Sequence, residues 1–350
     1  NGTIKADDGT VLDANDKSYR FSGGDYDLTN KAIVSGLTTV DSSSNTTTNG
    51  VINFYCNGTR QYVGYSCSSS YTSYYTLQYD VTFTQYPTHE AALNKAVYDE
   101  YLTKPISNFV CFGYDSKDGS CPTDNLYRII GVFDGEVKLI KYDYAKSTLL
   151  GTDGDYSNTY SGLGYSSSSN GTNKGQNSQA EIGGYYWNRN GTNTWSESQL
   201  NTVNLNKNYI NNIGTKWSEK ISDHTWKVGG NTWSNIRKQT APTAYQNEIN
   251  NPATNKTVNA KVGLMYVSDY GYAASSSSWS TILNNYENVT VNNWMYMGLY
   301  EWTLAPRADG SNGAFRVHYA GYVYNDNVNR HTAARPVLYL KSTIGYGGGS

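Results

Sequence analysis

Cysteines, histidines and carboxylates are the residues of this chain best suited to chemistry, and their spacing decides between redox, metal and structural roles. Cys56 and Cys67 lie close in sequence, as do Cys111 and Cys121, and the chain has no other cysteine. Each pair can close a hairpin-sized loop, and local closure costs the least chain entropy of the three possible connectivities. Four reduced thiols or one four-cysteine zinc site are the alternatives, but neither pair has the short C-x2–4-C spacing of structural zinc. The spacing predicts Cys56 bonded to Cys67 and Cys111 to Cys121, and with them an oxidising compartment. His89, His224, His318 and His331 are scattered. His318 and His331 can approach across the final strands, but a third carboxylate or thiolate is not in view, so no metal site is expected. Asp153, Asp155, Asp326 and Asn327 carry oxygens of the kind Ca2+ takes, yet DGD at 153–155 reads more simply as a turn. Ser, His and Asp abound without a G-x-S-x-G elbow, and a GK[ST] phosphate loop is absent, so neither hydrolysis nor a cofactor is expected.

Binding is the chemistry that the C-terminal residues suit. Between Glu301 and Leu340 the residues Arg307, His318, Tyr319, Tyr322, Tyr324, Asn325, Asp326, Asn329, Arg330 and His331 are interspersed with Trp302, Phe315, Val317, Gly321, Val323, Arg335 and Pro336. Tyr offers a large contact area for two frozen torsions, and Asn and Ser offer hydrogen bonds of either polarity, the composition of antibody paratopes. The first ten are expected to contribute to one recognition face. A solvated sheet face has the same composition, because exposed aromatics scattered singly need no ligand.

Strands must hold such a face. In AFRVHYAGYVY, Phe315 and Val317 alternate with Arg316 and His318, Gly321 breaks the run and Val323 resumes it, which predicts a strand, a turn and a second strand half-buried on one side. RPVLYL reads as a buried closing strand, with Pro336 at its start because proline cannot donate to a ladder. Asp134 and Gly135 link LYRIIGVF to EVKLIKY, the strongest short hairpin signal in the chain. Strands are also expected at YYTLQYDVTF (74–83), KVGLMYV and NWMYMGLYEW. Leu93, Ala96, Val97 and Tyr101 share one face of a predicted helix opened by Pro87 and Thr88 and ended by Pro105. A second helix is expected from Leu200, capped by Ser196 and Gln199, with Gly214 ending the helical segment that follows. Residues 151–184 read as one long low-complexity loop.

Leu, Ile, Val and Phe make up under a fifth of the chain, a level that signals disorder when net charge is high. Here the net charge is only -2, and 34 Tyr and 8 Trp restore the missing apolar area. A folded, β-rich chain with an aromatic core follows, in which Trp226, Trp294 and Trp302 are read as core residues. The near-neutral balance offers no basic stripe for nucleic acid. No apolar run is long enough to span a membrane. With no secretory apolar region at Asn1, the chain reads as a mature or truncated form.

DNLYRIIGVFDGEVKLIKYDY, WSESQLNTVNLNKNYI, VGLMYVSDYGYAAS and WTLAPRADGSNGAFRVHYAGYVYNDNVNRHTAARPVLYL together resemble the C-terminal lectin-like domain of pilin-like surface proteins of gut Firmicutes. That domain is similar to the C-type-lectin fold in its formylglycine-generating-enzyme-like variant, which also carries the variable proteins of diversity-generating retroelements. The resemblance covers roughly residues 107 to 341 and implies an α+β, β-rich C-type-lectin-like domain with two or three short helices and long polar loops. Residues 1–106 are then an N-terminal strand, loop and helix elaboration, and 342–350 a flexible tail. The resemblance also implies that the strand near Ile129 pairs with the terminal one near Leu338. Calcium-lectin signatures (Glu-Pro-Asn, Gln-Pro-Asp, Trp-Asn-Asp) are missing, and the C-terminal cysteines of the formylglycine-generating enzymes are absent. The expected function is an extracellular, non-enzymatic, adhesin-like protein on a bacterial surface or pilus-like filament, its partner a surface protein or glycan of a host or neighbouring cell. A structural filament or surface-layer subunit, touching copies of itself, is the alternative. A sulfatase-modifying-factor-like enzyme comes third.

Overall fold

The computed structural model describes residues 52–61, 66–77, 85, 87, 108–115, 121–164 and 172–342, except 135 and 237, together with the backbone of three short strands nearer the N-terminus. The helix expected from Pro87 to Tyr101, apart from Pro87 itself, the tail 342–350 beyond Ser342, and Gly135 lie outside the described residues. The described residues form a mixed α+β structure of several small sheets and short helices. The chain divides into two units, one of residues 1–25 and 108–350, the other of residues 26–107.

In the first unit β1 (Ile4–Lys5) pairs with β2 (Val11–Asp13), and β3 (Tyr19–Arg20) joins the edge of the largest sheet. The second unit holds β4 (Ile52–Cys56), β5 (Thr59–Gln61) and β6 (Ser73–Leu77), with β4 central. Of the strand expected over 74–83, the described part ends at Leu77. Phe54 packs on Tyr75, and Tyr55 stacks on Tyr74, so cross-strand aromatic pairs hold this small sheet. Cys56 is bonded to Cys67 within it, Cα atoms 5.7 Å apart.

The largest sheet of the first unit uses β7 (Phe109–Cys111), β8 (Leu126–Phe133) and β9 (Glu136–Lys141). Phe133 faces Glu136 across a two-residue turn, in which Asp134 takes φ of 50°, the left-handed conformation that Asp tolerates better than most residues. Residues 151–184 carry β10 (Tyr156–Ser157), a helical turn at Gln179–Ile182 and the start of β11 (Gly184–Tyr186). The expected single loop is therefore corrected. Two buried carboxylates organise this segment: Asp143 accepts from the backbone N–H of Gln176 and Asn177, and Asp155 from those of Arg189 and Leu200. Such order leaves no apolar periodicity to read.

Next come β12 (His224–Lys227), β13 (Thr257–Ala260), β14 (Val262–Gly263), β15 (Glu301–Pro306), β16 (Gly313–Val317), β17 (Val323–Asn327), β18 (His331–Thr332) and β19 (Val337–Leu340). KVGLMYV is strand only at Val262 and Gly263, with Val267 opening a helix to Tyr272, and NWMYMGLYEW becomes strand only from Glu301. The helix expected at Leu200 is present, but its cap is Ser198, whose Oγ accepts from Asn201 N at 3.3 Å, and not the Ser196/Gln199 box. Gly214 follows its last turn with φ of 79°.

The closing strand β19 lies between β9 and β14, with Leu338 opposite both Leu139 and Val262. It does not pair with β8 as the resemblance implied, because the edges of β8 are taken by β9 on one side and by β3 and β7 on the other. Pro336 directly precedes β19, a strand-start position that tolerates a missing N–H, and its carbonyl accepts from Lys141 N at 3.0 Å. Trp226, Trp294 and Trp302 are fully buried in the main core with Ile130, Leu139, Ile140 and Phe315.

Cys111, at the end of β7, is bonded to Cys121, Cα atoms 5.7 Å apart. Removing this bond by C111S/C121S is expected to cost about 3 kcal/mol, the chain-entropy value for a loop of this size. Urea unfolding of the variant against the parent measures it, and non-reducing peptide mapping tests both pairings.

Candidate recognition surface on the C-terminal strand meander

Strands β15, β16 and β17 form a three-stranded antiparallel sheet. Between β16 and β17 the chain reverses through His318 to Tyr322, closed by hydrogen bonds from His318 N to Tyr322 O and from Gly321 N to His318 O. Gly321 has φ of 100°, and a Cβ there would lie 2.2 Å from Thr290, so the turn demands glycine. Register fixes which side chains share a face. Trp302, Arg316 and Tyr324 stand opposite one another, as do Pro306, Ala314 and Asp326. Phe315 and Asn325 form one pair of the other face, and Val317 and Val323 another.

Arg316 organises the first face. Its side chain is only 5% exposed, with the guanidinium 3.7 Å from the ring centre of Tyr300 and 4.8 Å from that of Tyr324. It is ion-paired with Asp326 and donates to the Tyr324 hydroxyl. His318 adjoins it, its ring stacked on Tyr322 at 4.1 Å and 4.0 Å from Tyr319. His318 Nδ1 accepts from Ala320 N at 3.1 Å, which leaves the proton on Nε2, 2.9 Å from the Tyr300 hydroxyl. Burial and the neighbouring Arg316 charge push the imidazole down to about 4. Burial raises the phenols of Tyr300, Tyr322 and Tyr324. Tyr296 donates its hydroxyl to Tyr319 O, and a Cβ on Gly164 would lie 2.5 Å from Tyr300 and 2.6 Å from Tyr319, so bare backbone packs against these rings.

Of the ten residues expected to form one face, the structure brings His318, Tyr319, Tyr322, Tyr324 and Asp326 together. His331 lies in β18 opposite Tyr186 of β11, ring centres 5.4 Å apart, with Arg189 over the same Tyr186 ring. Burial and the charges of Arg330 and Arg316 lower the His331 imidazole. Asn329 and Arg330 are exposed in the turn between β17 and β18. Arg307 sits at the opposite end of the β15–β16 hairpin from His318, paired with Asp309 at 2.8 Å. Asn325 belongs to the other face. Sequence reasoning passed over Arg316 and Tyr300. Arg316 was within reach of it, because alternation with Phe315 and Val317 already put Arg316 on the His318 side.

The site has a division of labour. Arg316 and His318 are buried, Arg316 engaged through Nη2 with Asp326 and Tyr324 and His318 through both ring nitrogens, whereas Tyr319, Tyr322 and Tyr324 are partly exposed. An imidazole held neutral, with both nitrogens engaged, is a poor general acid or base near neutral pH. Rings already packed on each other lose little further freedom when a partner docks, which favours binding. Because the folded His318 pKa lies below its ordinary 6.5, the unfolded chain binds more protons between about pH 6.5 and 4. The contribution of His318 is therefore present above 6.5 and lost as pH falls toward 4. H318Q is expected to lose less stability than the parent over that window, as denaturant titration at stepped pH measures.

The candidate ion ligands are otherwise engaged: Asp155 accepts backbone N–H groups, Asp153 accepts from Asn208 Nδ2 at 2.6 Å, and Asp326 pairs with Arg316. No helix among the described residues is long and apolar enough to cross a membrane. No family model, curated protein or solved structure matches this chain.

Proposed function

We propose that the chain is a non-enzymatic extracellular binding protein, adhesin-like, displayed on a bacterial surface or pilus-like filament, and that its recognition face is the tyrosine cluster of the β15–β16–β17 meander. The observation that carries this reading is the built cluster itself: three partly exposed tyrosines held on a buried Arg316 and His318. Two disulfides fit an oxidising, non-cytoplasmic setting. The resemblance to lectin-like pilin domains supplies the fold expectation, a C-type-lectin-like domain, and the partner class, a protein or glycan on another cell. Compared with the face expected from sequence, this one gains Tyr300 and Arg316 as support and loses Arg307, Asn325, Asn329, Arg330 and His331.

The test is the triple variant Y319A/Y322A/Y324A, measured for folding and for binding to glycan arrays, surface-protein panels and intact cells. Binding is expected to fall by more than about 30-fold, the loss of one strong anchor of about 2 kcal/mol, while the variant stays folded. Unchanged binding in the folded variant would move the site elsewhere. Lost self-assembly with no external ligand would favour the filament-subunit reading.

A further inference from the structure

Lys138 of β9 and Asp269 of the Val267–Tyr272 helix meet in the core, each 1% exposed, with Nζ 2.5 Å from Oδ2. Around the ammonium stand the rings of Phe133, Trp226, Tyr266 and Tyr339, their centres 4.7 to 5.8 Å away. The same Asp269 oxygen accepts Tyr266 N at 2.8 Å, which fixes the carboxyl in orientation. A second buried carboxylate, Glu248, binds the adjacent turn, accepting from Val267 N at 3.0 Å and Ser268 N at 2.9 Å. Burial raises Glu248 to about 7, and the neighbouring Asp269 charge adds to the rise, so it can hold or release a proton near neutral pH.

We propose that Lys138 and Asp269 become joined by an intramolecular amide bond once the chain has folded, with Glu248 as the proton carrier. An apolar, aromatic enclosure disfavours separated charges, so proton transfer along the 2.5 Å contact to give a neutral amine and a neutral acid is accessible there. The Nζ lone pair attacks Cγ of Asp269 and the N–C bond forms. Glu248 takes the proton shed by nitrogen and returns it to a hydroxyl of the tetrahedral intermediate. The C–O bond breaks, water leaves, and Glu248 ends as it began. Amine and acid give amide and water, with no oxidant or reductant. Holding the reacting groups in contact replaces an unfavourable bimolecular encounter by an intramolecular one. The bond would tie β9 to the helix covalently, a use suited to a protein under mechanical load outside the cell.

Intact mass spectrometry of the full chain, with both disulfides reduced, tests this directly. The expected mass is that of the sequence less one water, and proteolysis should release a branched peptide containing Lys138 and Asp269. The folded D269A and K138M variants should show their full calculated masses, and E248Q should accumulate the unlinked form. A parent chain of full mass, with Lys138 and Asp269 recovered in separate linear peptides, overturns the proposal. A fully linked E248Q overturns the assignment of Glu248.

Discussion

Replacing Leu338 by aspartate is expected to abolish folding of the first unit. Leu338 is fully buried in β19, where it lies opposite Leu139 of β9 and Val262 of β14, so it faces apolar neighbours on both sides of the ladder. Losing the side chain alone would cost about 2–5 kcal/mol. A carboxylate placed there has no partner, and the desolvation cost of such a group adds several kcal/mol more. Together these approach the ~5–15 kcal/mol that holds a typical domain folded. L338D should show no cooperative thermal transition and a collapsed near-ultraviolet circular dichroism spectrum, whereas L338M should stay within about 1.5 kcal/mol of the parent. A cooperative L338D melt at the parent temperature would mean that β19 does not close the sheet.

Cutting the Glu301–Arg335 pair is expected to have the next largest effect. Both side chains are buried, and the guanidinium meets the carboxylate through two contacts, Nε to Oε1 at 2.7 Å and Nη2 to Oε2 at 2.9 Å. Nη2 also donates to Met295 O at 2.7 Å. Glu301 begins β15, and Arg335 lies two residues before β19, so the pair ties the tyrosine-bearing meander to the closing strand. Burial raises the Glu301 carboxyl and Arg335 opposes that rise. Removing either partner leaves an uncompensated buried charge, worth about 3–5 kcal/mol. E301Q and R335M should each destabilise by that amount in denaturant unfolding, while E301L/R335M should recover much of the loss, because two apolar groups leave no charge unpaired. Equal losses in all three variants would contradict this.

The features legible in the sequence are those fixed by short-range rules. Asp134 marked the β8–β9 hairpin, because few residues accept the left-handed turn it occupies. Phe315, Val317 and Val323 marked the apolar side of the meander through period-two alternation, but the expected half-burial is corrected for β16, which is buried on both sides, and of the two strands only β17 is partly exposed. Features that depend on which strand meets which were not legible. Arg307 and His318 lie within one short stretch of sequence, yet a hairpin sends them to opposite ends. The described parts of 151–184 are held by buried Asp143 and Asp155, whose partners are up to 45 residues away in sequence, so no local pattern reveals them. Alternation put Arg316 on the His318 side, but its burial was not legible: a buried arginine looks like an exposed one until its ring partners and Asp326 are known.

The most direct measurement of the recognition claim is site-specific photocrosslinking to the cells or surface molecules that the parent protein binds. A photoreactive phenylalanine analogue replacing Tyr322 is expected to capture a partner, and the same analogue at Arg307, at the far end of the hairpin, is expected to capture none. Capture from position 307 with none from 322 would contradict the assignment of the tyrosine face as the binding surface.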